Sequence, residues 1–168
     1  LGFYGNELNI SHGSQGGWSK FGIKRTVTKS NNHVLYELDD KPALEVYKTY
    51  LGLNSKDLPS SGLFYPLMIK ENSDSEEKVR TILAINEQEG SITFAGDIPV
   101  SSSVMFMKAS FSELIQGANE AASSETILEH KDEKAINLAI SCVGRKLVLG
   151  QKSEEEIEAV TKNFSKNI

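Results

Sequence analysis

One short stretch near the C-terminal end constrains the fold of this chain more than any other. Residues 135–141 form a run that is apolar at most positions, and its length suits a strand buried on both faces. Cys142, Gly144 and Arg145 follow directly, and a short apolar turn then ends at Gly150. Ligands collect outside the ends of such strands when helices pack on the sheet. The stretch therefore predicts a central strand that opens into a candidate binding site.

The composition is that of an ordinary globular protein. Of the 168 residues, 39% are hydrophobic and 24% are charged, which is unlike a disordered chain and is enough for one core. The formal net charge is -5 and the basic residues are scattered, so nucleic acid is not an expected partner. No apolar run approaches the roughly 18 residues that a membrane span needs, so we expect no membrane contact in this segment.

The single cysteine excludes an intrachain disulfide and a cysteine-rich metal site. It indicates a reducing compartment, and we expect the protein to be cytoplasmic. The sequence begins without an initiator Met or a signal peptide, which predicts that it is a piece of a longer protein.

Hydrophobic patterning predicts a strand-rich first half. Alternating or short apolar runs are separated by turn residues, for example Asn31-Asn32 and the segment 86–90. The candidate strands are 3–4, 8–10, 25–30, 34–38, 64–69, 79–83, 91–95, 103–107 and 135–141.

Three helices are predicted, at 41–51, 111–128 and 153–164. Asp39 and Asp40 come just before the first helix, where carboxylates favour the positive end of the helix dipole. The other two begin with a capping-box pattern, a Ser followed three residues later by a Glu, of which Ser153 and Glu156 are the second instance. Together these elements predict a single α+β domain, with a mixed, mainly antiparallel sheet and helices packed on it.

Four motifs carry a resemblance to a known family. They are VLYELD at 34–39, KPAL at 41–44, FAGDIP at 94–99 and SCVGR at 141–145, and in this order and spacing they resemble the FIST domain. The resemblance makes residues 1–33 the end of the FIST N-terminal part and residues 34–168 the FIST C-terminal domain without its closing segment. Asp40 departs from the family, which usually has Gly there.

The resemblance implies a sensory domain of intracellular signal-transduction proteins. FIST domains are attached to histidine kinases, chemotaxis receptors and cyclic-nucleotide signalling enzymes in microbes, and to F-box proteins in eukaryotes. Small ligands, among them amino acids, have been suggested for the family, and some similar proteins sense nitric oxide through a metal cofactor. The expected partners are therefore a small-molecule ligand and an attached or separate output domain.

The candidate ligand-binding residues are Ser141, Cys142, Gly144 and Arg145. Arg145 is the principal one, because a guanidinium can bind a carboxylate through two hydrogen bonds, which suits an amino acid or another small carboxylate. The alternative for Arg145 is a structural salt bridge to one of three carboxylates, Glu37, Asp39 or Asp97. The alternative for Cys142 is a small buried hydrophobe.

Metal binding and catalysis are not predicted. His12, His33 and His130 are not spaced as a metal set, so no metal and no cofactor is expected; a metal- or haem-linked nitric oxide sensor is the alternative that the resemblance leaves open. Ser141 or Cys142 would need a histidine or carboxylate within hydrogen-bond reach to act as a nucleophile, and the chain has no Gly-x-Ser-x-Gly motif.

Three classes of protein stay open and predict different surfaces. A ligand sensor predicts a concave pocket near Arg145, an interaction module of F-box type predicts an exposed apolar patch, and an enzyme predicts a base beside Ser141 or Cys142. A sheet that lacks a neighbouring strand exposes unpaired backbone groups, so we also expect self-association of this chain through a region that includes residues 1–10.

Overall fold

The computed structural model describes Gly5, residues 10–123 and residues 136–164. Its described residues group into two compact units. One unit is Trp18–Ser110, and the other combines the residues up to Gly17 with those from Phe111 onward. The α+β class and the mainly antiparallel sheet with helices are confirmed.

The first unit, here called the sheet unit, contains eight strands among the described residues, and every described pair is antiparallel. The order across the sheet is β5-β4-β8-β1-β2-β7-β6, with β3 paired to β2. The strands are β1 (Trp18–Asn31), β2 (Val34–Leu38), β3 (Lys41–Pro42), β4 (Leu67–Lys70), β5 (Lys78–Arg80), β6 (Ile82–Asn86), β7 (Ser91–Phe94) and β8 (Ser103–Ala109).

Strand β1 runs through the centre of the sheet and changes partners along its length. Its first part pairs with β8 and its last part with β2. The register breaks between Phe21 and Arg25, where Gly22 has a φ of 77°. A Cβ at Gly22 would lie 2.6 Å from a ring carbon of Tyr50, so only glycine fits this close approach.

The core of the sheet unit is apolar. Helix α1 (Ala43–Leu51) contributes Leu44 and Tyr47, which pack with Phe94 and Phe106 from the sheet. These side chains are at most 2% exposed. Alternating strand residues and one helix face therefore meet in a single cluster, as the periodicities predict.

The predicted start of α1 is wrong in its detail. Asp39 and Asp40 do not cap the helix but form the two-residue turn between β2 and β3, and the helix begins at Ala43. Their φ angles are 50° and 61°, in the left-handed region that a type I′ hairpin turn requires. Asp39 is fixed there because its carboxylate accepts hydrogen bonds from the Arg25 side chain and the Thr26 amide.

The second unit, here called the helical unit, contains α2 (Phe111–Ala122), α3 (Val143–Leu149) and α4 (Ser153–Phe164) among the described residues, with a short 3-10 turn (Gly150–Lys152) before α4. The predicted helix at 153–164 is confirmed. The predicted helix at 111–128 is confirmed as far as Ala122, and residues 124–128 lie outside the described part of the chain.

The predicted central strand at 135–141 is wrong. Residues 136–142 have no regular secondary structure and are exposed, and Ala135 lies outside the described residues. The predicted glycine-containing turn that follows is α3, whose inner face presents Arg145, Val148 and Leu149 at helical spacing. An apolar run alone does not make a strand, because a strand also needs a neighbour that accepts its backbone hydrogen bonds.

The remaining strand predictions differ mainly at their ends. The run 64–69 becomes a strand only from Leu67, and 79–83 is divided at Thr81 into β5 and β6. The predicted strands at 3–4 and 8–10 lie almost wholly outside the described residues.

Candidate functional site

A buried ion pair lies in the helical unit. Arg145 on α3 donates from Nη1 to Oε1 of Glu156 on α4, at 2.9 Å. The two residues are 8% and 5% exposed, so the pair is largely removed from solvent. The other carboxylate oxygen, Oε2, accepts a hydrogen bond from the Ser141 hydroxyl at 2.9 Å. Both oxygens of Glu156 are therefore engaged by neighbouring side chains.

The same guanidinium binds the glycine-rich loop 12–17. Its Nη2 donates to the carbonyl oxygens of Gln15 at 2.6 Å and Gly16 at 2.5 Å. Arg145 thus joins α3 to α4 and to a loop more than a hundred residues away in sequence. We call Ser141, Arg145, Glu156 and the Gln15 and Gly16 carbonyls the Arg145 cluster.

Glycines position the loop against α2. Gly17 has a φ of 81°, and a Cβ there would lie 2.6 Å from the backbone oxygen of Glu113. Gly117 on α2 faces Gly17 equally closely, because its Cβ would lie 2.9 Å from the Gly17 Cα. The loop also contacts α2 through Gln15, which donates to the Glu120 carboxylate at 3.1 Å. Loop, helices and guanidinium therefore hold one another in place within the helical unit.

Two protein-family models match the chain. The FIST N domain model matches residues 1–41, and the FIST C domain model matches residues 43–168, three quarters of the chain. The chain belongs to the FIST family. FIST domains are associated with signal-transduction proteins, and small-ligand sensing has been suggested for them. No curated protein and no solved structure matches the chain.

The FIST chain brings only two of the four predicted ligand-binding residues together. Ser141 and Arg145 meet on the Glu156 carboxylate. Cys142 is exposed just before α3 and is not the buried hydrophobe of the alternative interpretation, and Gly144 lies inside the first turn of α3. That these four residues bind a ligand stays a prediction.

A structural salt bridge of Arg145 is present, with a partner that the sequence did not indicate. The partner is Glu156 and not one of the three predicted carboxylates, Glu37, Asp39 and Asp97. Asp39 pairs with Arg25 within the sheet unit. Glu156 was interpreted as the second member of a capping box. One signal could have identified Glu156. It lies four positions before Val160, so the two residues share the less exposed face of α4. A charged residue on such a face normally has a partner.

The contact between Ser141 and Glu156 meets the geometric condition that we set for an enzyme. A serine nucleophile is normally activated by a base that is available to take its proton. In this FIST chain both oxygens of the carboxylate are already engaged, one of them by a guanidinium. The arrangement therefore suits a structural network better than an activated nucleophile.

No group of three or more His, Cys, Asp or Glu residues that could hold a metal occurs in the described ranges. His12 lies in the loop 12–17 and His33 in the turn between β1 and β2, while His130 falls outside those ranges. None of the described helices has the length and apolar character needed to cross a bilayer.

The segment around α3 exposes several large apolar side chains. Ile136 and Ile140 are 93% and 85% exposed, and Leu138, Val143 and Leu147 are each more than half exposed. We call these five side chains the 136–147 patch. A patch of this kind was the feature expected of an interaction module.

Proposed function

We propose that this FIST chain is a non-enzymatic, cytoplasmic sensory domain of a signal-transduction protein. It binds a small ligand, an amino acid or another small carboxylate, and passes the signal to an attached or separate output domain. The observation that carries the proposal is the Arg145 cluster, in which a buried guanidinium already holds a carboxylate.

The cluster supports a mechanism of exchange. A ligand carboxylate can replace Glu156, because it offers the same two acceptor oxygens, one to Nη1 of Arg145 and one to the Ser141 hydroxyl. The Gln15 and Gly16 carbonyls keep Arg145 in position during the exchange. Only Glu156 on α4 then loses its partners, so ligand binding would be reported by a change in the packing of α4.

A thermal-shift screen of amino acids and small carboxylates tests the proposal. A ligand present at 100 times its dissociation constant adds about 2.7 kcal/mol to stability, which is readily detected. We expect a hit to lose its effect in Arg145→Lys, because lysine lacks the planar fork. In Glu156→Gln we expect tighter binding of the same ligand, because the competing carboxylate is gone.

Glu155→Gln is the matched control, since Glu155 is an exposed neighbour that pairs loosely with Lys152 at 3.6 Å. It should bind the ligand as the unaltered chain does. The absence of any hit, or a hit that Arg145→Lys leaves unchanged, would count against the proposal. Circular dichroism of each variant establishes that it is folded before binding is compared.

A second candidate is a protein-interaction module, and the 136–147 patch favours it. In that case the output domain, or a second copy of the chain, covers the exposed apolar side chains. Light scattering tests this, with Ile140→Ser and Leu147→Ser combined in one variant. Association that disappears in the variant supports the interaction module, whereas a monomer in both cases excludes a second copy of the chain as its partner.

A further inference from the structure

A cleft in the sheet unit lies outside everything described so far. Its volume is about 370 Å³, at the lower end of the range for pockets that bind small molecules. It is formed by two short 3-10 helices, Gly52–Asp57 and Ser60–Leu63, and by the residues that follow them. The lining residues are Asn54, Asp57, Ser60, Ser61, Phe64 and Tyr65.

The walls of the cleft are held by the sheet and by α1. The carbonyl of Phe64 accepts from the Ala109 amide at 3.0 Å, and the hydroxyl of Tyr47 donates to the carbonyl of Tyr65. Gly62 sits tightly on the sheet, because a Cβ there would lie 2.7 Å from the Ile82 side chain. The backbone that carries Gly62, Phe64 and Tyr65 is therefore held in place, which lowers the entropic cost of ordering this part of the cleft.

The chemistry of the lining favours a cation. Asp57 is the one charged residue among the six, so the cleft carries negative charge without a basic residue to balance it. Phe64 is 37% exposed and offers its ring to a ligand. A carboxylate next to an aromatic surface is the combination that binds an ammonium group through Coulomb attraction and cation–π contact.

Two polar groups add directional contacts. Asn54 donates from Nδ2 to the Tyr65 hydroxyl at 3.0 Å, which leaves its amide oxygen as an acceptor. The Ser61 hydroxyl is buried and has no hydrogen-bond partner within the described ranges. A buried polar group of this kind requires a partner that a ligand or a water can supply.

We propose that this cleft binds a small organic amine, with the ammonium group beside Asp57 and the apolar body on Phe64. The site is separate from the Arg145 cluster, and its ligand needs no carboxylate. The failure of this proposal would therefore leave the proposed sensing of carboxylates untouched.

Three ring compounds of equal size and different charge test the proposal on the full chain: benzylamine, benzyl alcohol and benzoate. Chemical shifts of the backbone amides are followed by NMR during titration. We expect benzylamine to shift the amides of residues 54–65, benzyl alcohol to bind more weakly and benzoate not to bind. Equal binding of the alcohol or the benzoate, or benzylamine shifts confined to other residues, would overturn the proposal.

The variant Asp57→Asn removes the charge and keeps the shape of the side chain. Benzylamine should bind to it about fivefold more weakly, the effect of one partly exposed ion pair. Asp74→Asn is the matched control, since Asp74 is an exposed aspartate in the loop between β4 and β5. It should leave the affinity unchanged, and equal weakening in the two variants would show a general charge effect in place of a site.

Discussion

The sheet unit and the helical unit are stabilised by different kinds of buried contact. In the sheet unit the buried cluster is apolar, with Phe106 at 0% exposure stacked on Tyr50 at a ring separation of 4.0 Å. In the helical unit the buried contacts include the charged Arg145 cluster, and Glu156 is the buried residue of α4. A buried apolar side chain cannot leave its neighbours without leaving a cavity. A guanidinium, in contrast, can exchange one carboxylate for another. In the proposed function, the exchange of carboxylates therefore takes place in the helical unit, while the apolar core of the sheet unit keeps its packing.

Ion pairs in the sheet unit emphasise the contrast. Lys48 and Glu87 lie 2.6 Å apart but remain 38% and 61% exposed. Exposed pairs of this kind contribute little to stability, because water and salt screen them. The exposed pair of Lys48 and Glu87 is therefore peripheral to stability, and the buried pair of the Arg145 cluster is not.

The largest expected effect is in the apolar core. Phe106→Ala should lower the free energy of unfolding by about 4 kcal/mol, because it removes a buried ring and leaves a cavity. Urea denaturation followed by the fluorescence of Trp18, the single tryptophan, reports directly on the sheet unit. Phe111→Ala is the control from the helical unit, where the ring is 43% exposed, and its cost should stay below about 1 kcal/mol. If Phe106→Ala and Phe111→Ala lowered the free energy of unfolding by the same amount, the contrast between the two units would be contradicted.

The next effect concerns the ion pair. Glu156→Ala should lower the free energy of unfolding by about 3 kcal/mol, because it leaves the buried guanidinium of Arg145 without its carboxylate. Far-UV circular dichroism during urea denaturation measures the loss in the helices. Glu155→Ala, one residue away and paired loosely with exposed Lys152, should cost less than about 0.5 kcal/mol. If Glu156→Ala and Glu155→Ala lower the free energy of unfolding equally, the Arg145 cluster makes no particular contribution to the stability of the helical unit.

The smallest effect is that of a buried hydroxyl in the sheet unit. Tyr47 donates to the Tyr65 carbonyl, so Tyr47→Phe should cost about 1 to 2 kcal/mol at neutral pH. Burial also raises the pKa of Tyr47 far above its ordinary value of about 10, so the folded state keeps its proton in alkaline solution. The unfolded state loses that proton above about pH 10, and stability therefore falls as the pH rises further.

Stability measured against pH separates this contribution from the other tyrosines. The decline above about pH 10 should be shallower in Tyr47→Phe by up to about 1.4 kcal/mol per pH unit. A decline of the same steepness in Tyr47→Phe would show that Tyr47 titrates normally in the folded state.

Local patterns predicted much of the secondary structure. Strand β2 and helix α4 have the predicted bounds, because a short apolar run after a turn at 34–38 and capping with helical spacing over 153–164 are properties of neighbouring residues. The Arg145 cluster was predicted in part, because two of its residues, Arg145 and Ser141, were candidates from the sequence. Its partners could not be predicted, because Glu156 and the Gln15 and Gly16 carbonyls reach Arg145 only through tertiary contacts.

By itself the sequence determined the α+β class, most of the helices and the FIST family, since all of these follow from short-range pattern and motif order. Only the tertiary structure decided that residues 136–142 form no strand and that Arg145 pairs with Glu156. The physical reason is the same in both cases. Whether an apolar run becomes a strand, and which carboxylate meets a guanidinium, depends on what the rest of the fold places beside it.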